Sequence, residues 1–162
     1  MNKVMITGSF DPVTVGHEDI IRRAAASFAE VRVTVFLNPE KPGMFSPEER
    51  LFFLRRVTEK FPNVSVDYDS GMVIDYVKRE NITLLVRAVR DEKDLAYEMK
   101  MADFNHAHSG IETVFFAASP ALSRISSSEV RRRIAQGEAY DALRPAEIRT
   151  EIKKIEKNRA LK

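Results

Sequence analysis

Along the chain, short apolar or β-branched runs take turns with stretches in which apolar residues recur every three or four positions. That alternation predicts strands followed by helices. Val4-Met5-Ile6 is a run of the kind a parallel strand buries on both faces. Thr7-Gly8-Ser9 supplies small residues at its exit, and Asp11-Pro12 turns the chain. Gly16 and His17 then fall in the first turn of a helix whose Ile20, Ile21, Ala24, Ala25 and Phe28 keep close to helical spacing. Residues 31–37 read as a second strand, ended by Asn38-Pro39. Ser46-Pro47-Glu48-Glu49 is a capping box with proline at the first helical position, and it predicts a helix to about Phe61 with Leu51, Phe52, Leu54 and Val57 inward. Residues 63–68 alternate as a short strand, and Gly71 opens a helix carrying Met72, Val73, Tyr76 and Val77. Ile82 to Val86 reads as the fourth strand and Thr113 to Ala117 as the fifth. Between them Asp91 to His106 is helical by the spacing of Leu95, Met99 and Ala102. Ser126-Ser127-Ser128-Glu129 forms a second capping box before a helix that Gly137 stops, and Pro145 starts a terminal helix.

Strands alternating with helices of crossover length predict an α/β fold: one doubly wound domain over residues 1–162, with a five-stranded parallel sheet and 145–162 as a C-terminal helix. Ligands of such sheets bind beyond the C-terminal strand ends near the switch point. The candidate segments are therefore 8–17, 38–41, 69–72, 87–90 and 117–128.

Composition narrows the chemistry only a little. The chain has 162 residues, 44% apolar and 31% charged, which suits a single globular domain with a substantial core. A net charge of +2 is too small to point to nucleic acid, although a slight basic excess suits a cleft that gathers phosphates. With no cysteine there is no disulfide, Cys-ligated metal or thiol catalysis. No charged and apolar leader precedes the first strand, and no apolar run is long enough to span a bilayer, so the expectation is a cytoplasmic protein with no membrane partner.

The first strand, its loop and the following helix N-terminus form a natural anion site, because unpaired N–H groups and the positive end of the macrodipole face the loop. Neither G-x-G-x-x-G nor G-x-x-x-x-G-K-[ST] is present. The run Gly8-Ser9-Phe10-Asp11-Pro12-Val13-Thr14-Val15-Gly16-His17 instead resembles the G-[ST]-F-D-P-x-[TH]-x-G-H signature of the nucleotidyltransferase superfamily. A protonated imidazole is unfavourable at a helix N-terminus, so a histidine there makes more sense facing an anion. Taken with later residues, the whole chain resembles the phosphopantetheine adenylyltransferase family of bacterial coenzyme A biosynthesis. Arg87-Ala88-Val89-Arg90 matches its R-G-[LV]-R except that alanine replaces glycine, Tyr97-Glu98-Met99 matches Y-E-x-x-[ML], and Ile125-Ser126-Ser127-Ser128 keeps its I-S-S-S core.

The resemblance implies a Rossmann-like nucleotidyltransferase fold and transfer of AMP from ATP to 4′-phosphopantetheine, giving dephospho-coenzyme A and pyrophosphate with Mg²⁺ as counter-ion. His17, Lys41 and Arg87 carry the catalytic roles it implies. Ser9, Phe10, His17, Ala88, Arg90, Glu98, Ser126, Ser127 and Ser128 are its nucleotide contacts. Ser9, Phe10, Lys41, Met72, Val73 and Arg87 are its contacts with the acceptor. With no cysteine and an acceptor that is itself a charged nucleophile, direct in-line attack is expected. No carboxylate cluster is evident in the sequence for a protein-held metal. The resemblance further implies a homohexamer of two trimers and feedback by coenzyme A. A nicotinate mononucleotide or glycerol phosphate acceptor, or a nucleotide-sensing module without turnover, are the other functions considered. The run Arg131-Arg132-Arg133 and the charged tail beyond Ile148 read as solvated faces, and His106 and His108 as structural or solvated.

Overall fold

β1 (Lys3–Gly8), β2 (Glu30–Phe36), β3 (Val64–Asp69), β4 (Leu84–Val89) and β5 (Glu112–Ala117) form one parallel sheet in the order β3-β2-β1-β4-β5. The computed structural model describes residues 3–38, 40 and 42–160. Sequence order reverses between β1 and β4, which puts the switch point beside the loop that leaves β1.

Period-two alternation divides the core. Val4 and Ile6 of β1, with Val31, Val33 and Val35 of β2, pack on one face against α1 (Val15–Ser27), α2 (Pro47–Thr58) and Ile152 of α6 (Arg149–Ala160). Met5 and Leu85 point the other way, toward Tyr76 and Val77 of α3 (Val73–Arg79) and Ile111 beyond the end of α4 (Glu92–Ser109). This second layer is thinner. α5 (Ser127–Gln136) follows β5 and ends at Gly137, whose φ of 67° is the left-handed geometry glycine supplies without strain.

The structure corrects several sequence expectations. In α2 the inward aromatic is Phe53, fully buried, whereas Phe52 is 46% exposed, because the buried stripe runs through Arg50, Leu51, Phe53, Leu54 and Val57. β4 continues to Val89 by pairing with β5, so Arg87 and Ala88 lie within the strand rather than in a loop after it. In α4 the spacing of Leu95 and Met99 misleads: they are 36% and 51% exposed, and the buried positions are Glu98 and Asn105. The helix after Gly71 begins at Val73 with Met72 as a cap that makes no side-chain bond. Of the two expected capping boxes, that of Ser46 and Glu49 is complete. At α5 Ser126 accepts the Glu129 N–H, but the Glu129 carboxylate pairs with Arg132 and Arg133 instead of reaching back.

The terminal helix is tied to the start of α2 and to the residues just before it. Arg159 of α6 donates to the Met44 carbonyl and pairs with Glu49, both at 2.7 Å. The charged tail is thus partly an anchor rather than only a solvated face.

Candidate active site

His17 occupies the third position of α1, and its ring is locked from behind. The Thr14 backbone N–H donates to His17 Nδ1 at 3.0 Å, while the Thr14 hydroxyl accepts the His17 N–H at 3.3 Å. A backbone N–H can only donate, so Nδ1 is the acceptor and the neutral ring carries its proton on Nε2. Burial, followed by the positive charges of Arg87 and Arg90, pushes the imidazole down to about 4. The ring is therefore neutral near pH 7, and the reason for its place at a helix N-terminus differs from the one the sequence suggested. It completes a capping box in which histidine takes the part usually played by Glu or Gln. Phe10 stands edge-on to it at 4.9 Å between ring centroids. Phe10 has φ of 44°, a costly conformation for a bulky residue, and it is held there fully buried against Gly8.

Arg87 projects from β4 and makes a bidentate pair with Glu98 of α4: Nε to Oε2 at 2.8 Å and Nη2 to Oε1 at 2.7 Å. Its Nη1 donates to the Thr7 carbonyl at 2.7 Å and to the Thr7 hydroxyl at 2.9 Å. Hydrogen bonding and charge from Glu98 hold the guanidinium above its usual range despite burial. Glu98 thus anchors the arginine. Arg90 is more exposed and bonds Asp94 through both its backbone and its side chain.

These groups border a cleft of about 330 Å³ at the C-terminal ends of β1 and β4. Ser9, Phe10, His17, Ala88, Arg90, Ser126 and Ser127 line it, as do Arg87 and Glu98. A second hollow of about 200 Å³ adjoins it, sharing Thr7, Arg87 and Glu98 and lined further by Met72, Val73 and Met101. The sequence-predicted residues accordingly gather around two hollows that share Arg87. Ser128 lies outside the lining, its hydroxyl bonded by Arg131 at 3.1 Å. Ser127 donates to the Pro12 carbonyl at 2.7 Å, and Ser126 caps α5. Lys41 falls outside the described residues. A third groove, about 490 Å³, lies elsewhere, between α2 and β3, and contains none of the candidates.

Among the described residues no group of three or more His, Cys, Asp or Glu side chains could hold a metal. Of the carboxylates in the cleft, Asp19 pairs with Arg22, Asp94 with Arg90 and Glu98 with Arg87. They do not fit a resident cation.

Sequence reasoning passed over Asp11 as a turn residue, Thr14, Arg50 and Arg131. Asp11 is 5% exposed and accepts the Met44 and Phe45 N–H groups at 2.9 and 2.8 Å. Arg131, expected on a solvated face, donates to the Asp11 carbonyl at 2.7 Å. Thr14 carried a usable signal, since a threonine three residues before a polar helical residue is the pattern of a cap. Arg50 carried none, because Ser9 and Asp11, which it reaches, are distant in sequence.

The cytidylyltransferase-like family model matches residues 5–133. The chain is 45% identical over 136 residues to a phosphopantetheine adenylyltransferase of Thermobifida fusca, covering 84% of this chain and 82% of that one. A candidate nicotinate-nucleotide adenylyltransferase from Vibrio parahaemolyticus superposes with a TM-score of 0.63 over 89% of this chain and 94% of its own, at 14% identity, a likeness of fold alone.

Proposed function

The chain belongs to the phosphopantetheine adenylyltransferase family of cytidylyltransferase-like nucleotidyltransferases, and from that premise we propose that it transfers AMP from ATP to 4′-phosphopantetheine, forming dephospho-coenzyme A and pyrophosphate. The observation that carries this reading is the pair of hollows meeting at Arg87: a polar one beside His17 for the nucleotide, and a more apolar one for the pantetheine arm.

The acceptor's phosphate oxygen attacks the α-phosphorus in line as the bond to pyrophosphate breaks, so the protein need only align the reactants and stabilise charge. His17 Nε2–H donates to an α-phosphoryl oxygen. Ser9, Lys41 and Arg87 bind the acceptor phosphate or the α-phosphate. Arg90 and the Ser126-Ser127 turn face the β- and γ-phosphates. Because Arg87 and Arg90 are each offset by a carboxylate and His17 is neutral, these side chains supply little net charge against a triphosphate. MgATP is accordingly the expected nucleotide substrate, its cation held by phosphate oxygens and water. Paired assays of pyrophosphate release with phosphopantetheine and with nicotinate mononucleotide test the function. Turnover with phosphopantetheine alone is the expected result. Nucleotide binding without pyrophosphate release would instead support a sensing module.

The pantetheine arm lies along Met72 and Val73, with turn backbone for its amides and apolar side chains for its methylenes. Met72 is 52% exposed, so it is no core residue, and Met72→Trp is expected to raise KM for phosphopantetheine about tenfold with ATP affinity unchanged. Equal damage to both substrates would reject the placement. Coenzyme A shares both ends of the product and is expected to compete for the same hollows.

The same reading includes a cytoplasmic homohexamer. Among the described residues no helix is long and apolar enough to cross a membrane. Assembly is supported by α4, on which Tyr97, Met99, Met101 and Phe104 are all exposed. Met101→Glu is expected to lower the mass measured by light scattering and to reduce activity with it. A monomeric wild-type protein of full activity would remove the hexamer and leave the active site as assigned.

A further inference from the structure

The most unusual side-chain cluster beside the cleft is a buried charge pair that touches neither hollow. Asp11 and Arg50 are 5% and 6% exposed, with Arg50 Nε 3.4 Å from Asp11 Oδ1. Their hydrogen bonds run outward to backbone. Asp11 accepts two N–H groups from Met44 and Phe45, and Arg50 donates to the Phe45 carbonyl at 2.8 Å and to the Ser9 carbonyl at 3.3 Å. The pair thereby joins the β2–α2 loop to the turn after β1. Gly43 shows how closely that loop is laid on it: a Cβ there would stand 1.5 Å from Arg50 Nη2 and 2.7 Å from Asp11 Oδ2. Both carbon and guanidinium cannot occupy that space.

Two consequences reach the reacting groups. Asp11 follows Phe10, whose left-handed backbone must be over-determined by its surroundings and whose ring bears on His17. Arg50 grips the carbonyl of Ser9, a residue that lines the cleft. The loop on the far side is continuous in sequence with Lys41. A guanidinium that bridges these two backbones ties the Ser9-Phe10 side of the cleft to the segment just before α2.

We propose that Arg50, through its buried pair with Asp11 and its contact with Gly43, is a positioning residue for adenylyl transfer: it fixes residues 43–45 against the Ser9-Phe10 turn and so holds that turn where the reactants align. The proposal rests on the function given above, and wild-type turnover in the same assay separates failure of the one from failure of the other. A misplacement of about 1 Å can cost ~10²-fold in rate, so a loss of that order in kcat is the signature, with KM for ATP changed less than about threefold.

The test uses Arg50→Met, Arg50→Lys, Gly43→Ala and the double variant Gly43→Ala/Arg50→Met in the full chain, with kcat and KM measured on the folded fraction established by circular dichroism. Arg50→Met is expected to lose roughly 10–10²-fold in kcat. Arg50→Lys, which keeps a donor but loses the bridge, is expected to fall between it and the wild type. Gly43→Ala is expected to show a similar loss to Arg50→Met. The double variant should then lose less than the product of the two single losses, since removing the guanidinium takes away the closest clash of the new methyl group and leaves only that with Asp11 Oδ2. Normal kcat in folded Arg50→Met or folded Arg50→Lys overturns the proposal, as does a loss in the double variant equal to the product of the two single losses. If Arg50→Met does not fold, Arg50→Lys and Gly43→Ala decide the matter by the same kcat criterion.

Discussion

His17→Ala is expected to lower kcat by ~10²–10³-fold while KM for ATP and for phosphopantetheine changes by less than about threefold. The Nε2–H is aimed into the cleft by a bond that Thr14 makes to the opposite nitrogen, so it costs no reorganisation when charge builds on the phosphoryl oxygens. A donor of that kind acts mainly in the transition state. Its loss should therefore appear in turnover, not in ground-state binding. The acidity of the ring gives a second readout. Its value in the fold, about 4, lies below the ordinary 6.5, so the neutral form is favoured by folding. Stability from this group is present above about pH 6.5 and is lost as pH falls toward 4. Activity should accordingly show no His17-linked loss through the range where free imidazole titrates. Nitrogen-15 NMR of the ring checks both points: Nδ1 should remain an unprotonated acceptor at pH 6. A ring that protonates near pH 6.5 would reverse the assignment of a neutral donor.

β1 was legible because it is buried on two faces and therefore reads as an unbroken apolar run, whereas β3, half-exposed at the sheet edge, reads as alternation. Val4-Met5-Ile6 is such a run, and its residues divide between the two core clusters. The site was legible because the functional side chains of an open sheet collect where strands end, so Gly8 to His17 and the segment following β5 could be marked without knowing the ligand. α4 was misread for a physical reason. Its inward face must receive Arg87, so burial selects Glu98, and apolar Leu95 and Met99 are left outside. Period alone ranks hydrophobicity and cannot anticipate a buried carboxylate whose partner lies on another strand. The end of β4 was misplaced in the same way: Arg87 looks like the polar stop of a strand until its pairing opposite Phe115 is known. Arg50 illustrates the limit most sharply, since on helical spacing a charged residue beside Leu51 reads as surface, yet it is buried by contacts to Ser9, Asp11 and Phe45.

Arg87→Met is expected both to destabilise the protein and to abolish most turnover, and a second substitution separates the two effects. Glu98 has a side chain only 8% exposed, against 31% for Arg87, so removing the guanidinium strands a buried carboxylate. That should cost about 2 kcal/mol, less than the ~3–5 kcal/mol of fully buried pairs, because solvent reaches the vacated position. The melting temperature should fall by roughly 4–8 °C. Adding Glu98→Gln removes the stranded charge, and most of the lost stability should return in the double variant. Turnover should not return, because no cation then remains where the two hollows meet, and kcat should stay ~10²-fold or more below wild type. Glu98→Gln alone keeps the cation but loosens its bidentate hold, and a smaller loss, about tenfold in kcat, is expected. Thermal melts and steady-state kinetics on the four proteins complete the cycle. Recovery of activity in step with stability would show that Arg87 only supports the fold, and would move the phosphate-binding role to other cations of the cleft.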